Sequence, residues 1–90
     1  MITRKLIDHP YAQATVICED NGDKRLISYT TEVAGIKDNK AYCNGLYSNT
    51  TRRHIGEFAR ENGLTYQFFK MLYEQGVEMD LETGEVFERG

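Results

Sequence analysis

Residues 48–76, SNTTRRHIGEFARENGLTYQFFKMLYEQG, decide how the rest of the chain is read, because they spell two short helices joined by a tight turn. The first opens among Ser48, Asn49, Thr50 and Thr51, whose side chains accept hydrogen bonds from the free N–H groups of a first turn. Ile55, Phe58 and Ala59 fall at i, i+3 and i+4 and share a buried face, with Arg52, Glu57, Arg60 and Glu61 mostly outside it. Gly56 weakens this helix by about 1 kcal/mol relative to Ala. Gly63 ends it, with Leu64 packing back on the last turn. Thr65 then caps a second helix, and Leu64 is placed to staple onto Phe69. Phe69, Leu72 and Tyr73 supply the second buried face, Lys70 faces solvent, Phe68 and Met71 point outward, and Gly76 is the stop. Such a pair is an αα-hairpin or a helix-turn-helix, and the small Ala59 at the expected crossing suits the second.

Upstream the period changes to that of strands. Ala14–Glu19 and Lys24–Tyr29 flank Asp20-Asn21-Gly22-Asp23, a strong hairpin signal. A two-residue Asn21-Gly22 loop sets Glu19 against Lys24 and Ile17 against Leu26. Thr31–Ile36 and Lys40–Asn44 repeat the pattern around Asp38-Asn39, which makes a four-stranded antiparallel meander. Gly35 inside a strand marks a bulge or a close approach. Residues 2–8 read as an edge strand or an arm, interrupted by Pro10. Downstream, Val77, Met79 and Leu81 alternate with Glu78, Asp80 and Glu82, and a turn at Thr83-Gly84 leads to Val86-Phe87. The expected fold is therefore a single α+β domain over residues 1–90: an antiparallel sheet of two N-terminal hairpins, packed by the helix-turn-helix pair, with a short C-terminal hairpin.

Composition narrows the function classes. Ninety residues are too few for a deep cleft between two lobes. No apolar run approaches a membrane span, and the basic start MITRKLIDHPYAQ lacks the apolar core of a signal peptide, so the expectation is an intracellular, cytoplasmic protein. In a reducing compartment Cys18 and Cys43 are small buried hydrophobes rather than a bridge. With His9 and His54 they are the only ligands to consider for zinc, and they lack the paired spacings of a structural site; no metal and no cofactor are expected. A Cys43/His54 nucleophile pair lacks an orienting group, and no glycine-rich phosphate loop is present, so the chain reads as non-enzymatic.

The net charge of −3 is uneven: residues 77–90 carry five acids and one base. Glu78, Asp80, Glu82 and Glu85 are then either the solvated face of an edge hairpin or a surface for a basic partner. Six tyrosines offer interface side chains, with Tyr47 and Tyr66 set beside the helix starts. The only compact basic group is Arg52-Arg53-His54 with Arg60. His54 there either contacts a phosphate or a partner's carboxylate, or folds back to hydrogen-bond the sheet.

The stretch SYTTEVAGIKDNKAYCNGLYSNTTRRHIGEF, Ser28 to Phe58, resembles a family of small proteins from bacteriophages and mobile elements. The resemblance rests on a Ser-Tyr-x-Thr-x-Val-Ala strand followed by Tyr-Ser-x-Thr-Thr-x-x-His-Ile-x-x-Phe. It covers about a third of the chain and implies the order hairpin then helix and a phage-type origin, without implying an activity. By analogy with small phage proteins, the leading expectation is binding and modulation of a host protein, as an anti-CRISPR-like inhibitor of a defence nuclease would do, with Tyr47, Tyr66, Glu78, Asp80, Glu82 and Glu85 as the contact. The second expectation is a helix-turn-helix DNA regulator in which Gln67 and Lys70, with Tyr66, meet bases while Arg52, Arg53, His54 and Arg60 hold phosphates. The third is a structural or assembly subunit.

Overall fold

The computed structural model describes residues 1–89 and contains seven strands and two helices. The strands are β1 (Ile2–Lys5), β2 (Ala14–Cys18), β3 (Lys24–Ser28), β4 (Thr31–Lys37), β5 (Lys40–Cys43), β6 (Val77–Asp80) and β7 (Val86–Glu88). They form one antiparallel sheet in the order of the chain. The helices α1 (Asn49–Glu61) and α2 (Tyr66–Gln75) are inserted between β5 and β6, and the short C-terminal hairpin extends the main sheet through β5 and β6.

Strand alternation divides the sheet into two faces. Val16, Leu26, Ala34 and Cys43 stand opposite one another across β2 to β5, and each is buried in the core. The helices cover this side with Ile55, Phe58, Ala59, Phe69 and Leu72. The next row, Ile17, Arg25, Gly35 and Tyr42, lies on the other face. There Arg25 bonds Glu32, and the Tyr42 hydroxyl donates to Glu32 Oε2 at 3.1 Å.

The helix boundaries follow their caps. Ser48 Oγ accepts the Thr51 N–H at 3.1 Å. Gly63 is left-handed at φ 72°, and the Leu64 N–H returns to the Ala59 carbonyl to close α1. Thr65 Oγ1 accepts the Phe68 N–H, and Gly76 ends α2 in the left-handed region. Asp38 and Asn39 both have positive φ, as a two-residue hairpin loop of the primed type requires.

Four expectations are corrected. The β2–β3 loop has three residues, Asp20 to Gly22, closed by the Glu19 N–H donating to the Asp23 carbonyl at 2.8 Å. Gly22 at φ 97° supplies the extra left-handed residue, so the register moves by one. Leu26 faces Val16 instead of Ile17, and Lys24 faces Cys18 instead of Glu19. The shift buries both Val16 and Leu26 on the core side. Tyr73 is not part of the α2 buried face but 45% exposed. Phe68 and Met71 do not point outward; they are half-buried and pack against the core.

Glu57 and Glu61, expected outside, are covered by residues 4–9, which fold over α1. Arg4 pairs with Glu61 Oε1 at 2.8 Å. The Ile7 N–H donates to Glu61 Oε2 at 2.6 Å, and His9 Nε2 meets Glu57 Oε1 at 3.3 Å. Leu6 is buried beneath this crossing.

Candidate functional site

The start of α1 is where the exposed chemistry gathers. Its first turn contains no acidic residue, so the positive end of the helix dipole is uncompensated by its own side chains. Arg52 and Arg53 are adjacent on this turn and both exposed. Because neighbouring helical residues diverge by about 100°, each arginine serves a different groove.

Arg52 lies in a shallow groove with Leu46, Tyr47, Lys70, Tyr73 and Glu74. Its Nε donates to the Leu46 carbonyl at 3.2 Å, and Lys70 pairs with Glu74 at 3.0 Å. Tyr47 is 67% exposed yet lies against Gly45, where an added Cβ would come 2.5 Å from the tyrosine Cζ. The ring rests on backbone on one side and offers the other.

Arg53 lies on the opposite flank, in a groove of about 500 Å³ with Thr50, His54 and the loop from Asp8 to Gln13. His54 is buried, and its Nδ1 lies 2.8 Å from Ser28 Oγ. Ser28 Oγ is in turn 3.3 Å from Thr51 Oγ1, which accepts from Ser48 Oγ at 3.2 Å. Of the two readings of His54, the bond to the sheet is present: the residue is buried and its Nδ1 is taken by Ser28. Burial lowers the His54 pKa below its ordinary value, assisted by His9 and Arg53 nearby. The Tyr29 ring stands 6.0 Å from the imidazole, and Tyr29 adopts φ 57° while 57% exposed.

The remaining expected residues lie apart from these grooves. Tyr66 is half-buried against the core. Arg60 reaches back to Glu57 at 3.6 Å, and Gln67 is exposed on α2 but lines neither groove. Asp80 is occupied by its own turn: Oδ1 accepts from the N–H groups of Glu82 and Thr83, which lowers its pKa. Glu78 approaches Arg89 at 4.0 Å, and Glu82 and Glu85 are exposed. Sequence reasoning did not single out Tyr73, Ser28, Tyr29 or Tyr11 as site residues. Of these, Ser28 and Tyr29 belong to the Ser-Tyr-x-Thr-x-Val-Ala stretch, which was the one available signal.

The structure defines a small α+β domain, a sheet covered on one face by two helices. The chain belongs to a family of unknown function, DUF8033, matched over residues 3–74. No curated protein and no solved structure matches it. The matched span includes both grooves at the start of α1 and stops before Glu78, Asp80, Glu82 and Glu85.

Proposed function

We propose that this chain is a non-enzymatic binding domain that docks on another protein through the groove of Tyr47, Arg52 and Tyr73. The observation that carries the reading is how Tyr47 is held. Its ring lies on the Gly45 backbone and remains 67% exposed, so an aromatic surface is offered with little left to order on binding. Arg52, anchored on the Leu46 carbonyl, supplies the charge beside it. Aromatic residues together with arginine are the usual composition of a binding hot spot. A phage-type protein acting on a host protein, a defence nuclease included, fits this reading, with the contact at α1 in place of the acidic hairpin.

The test is affinity capture from bacterial lysate with three forms of the chain: unaltered, Tyr47→Ala/Arg52→Ala, and Glu82→Ala/Glu85→Ala. A defined partner retained by the first and third and lost by the second supports the reading. Loss only in the third returns the contact to the acidic hairpin and sinks it.

A nucleic-acid reading is favoured by one observation, two exposed arginines on a helix start without acids. Fluorescence polarisation with mixed-sequence duplex and single-stranded DNA addresses it. Salt-sensitive binding abolished by Arg52→Ala/Arg53→Ala would support DNA as the partner.

A further inference from the structure

The second groove, on the Arg53 side, carries a different chemistry, set by a chain of hydroxyl groups. Ser48 Oγ donates to Thr51 Oγ1, and the assignment that uses every hydroxyl proton sends the Thr51 proton to its other neighbour, Ser28 Oγ. In that assignment Ser28 gives its single proton to His54 Nδ1, 2.8 Å away. The neutral imidazole then carries its own proton on Nε2. Among the described residues Nε2 has no protein partner, and His54 lines the groove. A side chain that is only 3% exposed thus offers an N–H donor to the groove.

The groups around it are donors as well. Arg53 brings its guanidinium and Thr50 its hydroxyl. At the helix start, Ser48 takes the N–H groups of Thr51 and Arg52 through its Oγ and carbonyl, which leaves the amides of Asn49 and Thr50 open among the described residues. Asp8 is the one acid in the lining, and it is exposed on the loop side. Donors that converge on a helix N-terminus, with a buried imidazole N–H among them, match an oxyanion. One aromatic residue, Tyr11, lies in the lining and is 96% exposed, while Tyr29 stands outside the lining with its ring 6.0 Å from the imidazole. The left-handed conformation of Tyr29 belongs to the two-residue turn between β3 and β4, where its N–H donates to the Gln13 carbonyl, and the volume of the groove is that of a small-molecule site.

We infer that this groove binds a phosphate-bearing aromatic ligand of the mononucleotide class, with the phosphate on His54 Nε2–H, Arg53 and Thr50 and the ring against Tyr11. The inference stands independently of the Tyr47 groove.

The experiment is an NMR titration of the full chain with AMP, adenosine and inorganic phosphate in parallel, repeated on Arg53→Ala and His54→Asn. The asparagine amide can keep the bond to Ser28 while removing Nε2. Saturable shifts with AMP, centred on Thr50, Arg53, His54 and Tyr11 and weakened about tenfold or more in Arg53→Ala, support the inference. AMP binding more tightly than adenosine or phosphate alone supports both halves of the contact. Arg53 is exposed, so its variant remains informative even where His54→Asn does not fold. Three outcomes overturn the inference: no saturable shift with AMP at millimolar concentration, shifts scattered over arginines and lysines elsewhere, or unchanged affinity in Arg53→Ala. A short oligonucleotide that occupies these residues far more tightly than AMP would reassign the groove to a nucleic-acid strand and overturn it too.

Discussion

Ser28 Oγ lies 2.8 Å from His54 Nδ1, and this contact ties the end of β3 to the second turn of α1. Both residues are buried, so neither can exchange its partner for water without opening the junction. The contact fixes which imidazole nitrogen faces the groove, and through α1 it sets the direction of Arg52 and Arg53.

Replacing Ser28 by Ala leaves a buried imidazole nitrogen unpaired, at an expected cost of about 1–3 kcal/mol. Urea denaturation of Ser28→Ala, His54→Asn and the double variant measures it. Coupling between the two positions is the expected result, since they share one network.

The lowered His54 pKa makes stability depend on pH. The folded state resists protonation, so as pH falls below about 6.5 the unfolded chain takes up the proton first. The contribution of His54 is thus present above that value and is lost progressively below it. Thermal unfolding from pH 7.5 down to 5 should show a decline that is shallower in His54→Asn.

Gly35 sits under Tyr42, and an added Cβ would come 2.7 Å from the Lys24 carbonyl oxygen and 2.6 Å from Tyr42 Cζ. Gly35→Ala should destabilise the chain by about 1–3 kcal/mol, because the backbone carbonyl cannot move aside cheaply. Burial and the Glu32 carboxylate push the Tyr42 phenol well above its ordinary pKa. Displacing the ring should bring one tyrosine back toward the normal range in an ultraviolet titration.

Gly45→Ala has a different expected effect. The added Cβ meets the Tyr47 ring, an exposed side chain that can swing away. Stability should change little, while any partner held by the Tyr47 groove should bind more weakly. Chemical denaturation and capture on the same variant separate the two effects.

The elements were legible where a local rule governs them. Thr65 and Gly76 announced the ends of α2 through their caps, the run Ser48 to Thr51 announced the start of α1 without singling out Ser48, and Asp38-Asn39 announced its hairpin loop through two residues that tolerate positive φ. The Asp20 to Gly22 loop misled because Asn-Gly fits both a two-residue loop and the end of a three-residue one; the burial of Val16 against Leu26 decides between them, and that is a tertiary fact. The covering of Glu57 and Glu61 by residues 4–9 was illegible for the same reason, since nothing local shows that the N-terminal segment crosses α1. The candidate site was half legible. Tyr47, Arg52, Arg53 and His54 could be named from their place at the helix start. Their division between two grooves depends on the helix phase and on Ser28, Tyr29 and Tyr73, which long-range packing brings beside them.

The most direct test of docking through the start of α1 is site-specific photocross-linking in cells, with a benzophenone side chain at position 47 and, as control, at position 82. The account predicts a discrete cross-linked species from position 47 that disappears when Arg52 is replaced by Glu, and none from position 82. A partner captured from position 82, with nothing from position 47, would contradict it.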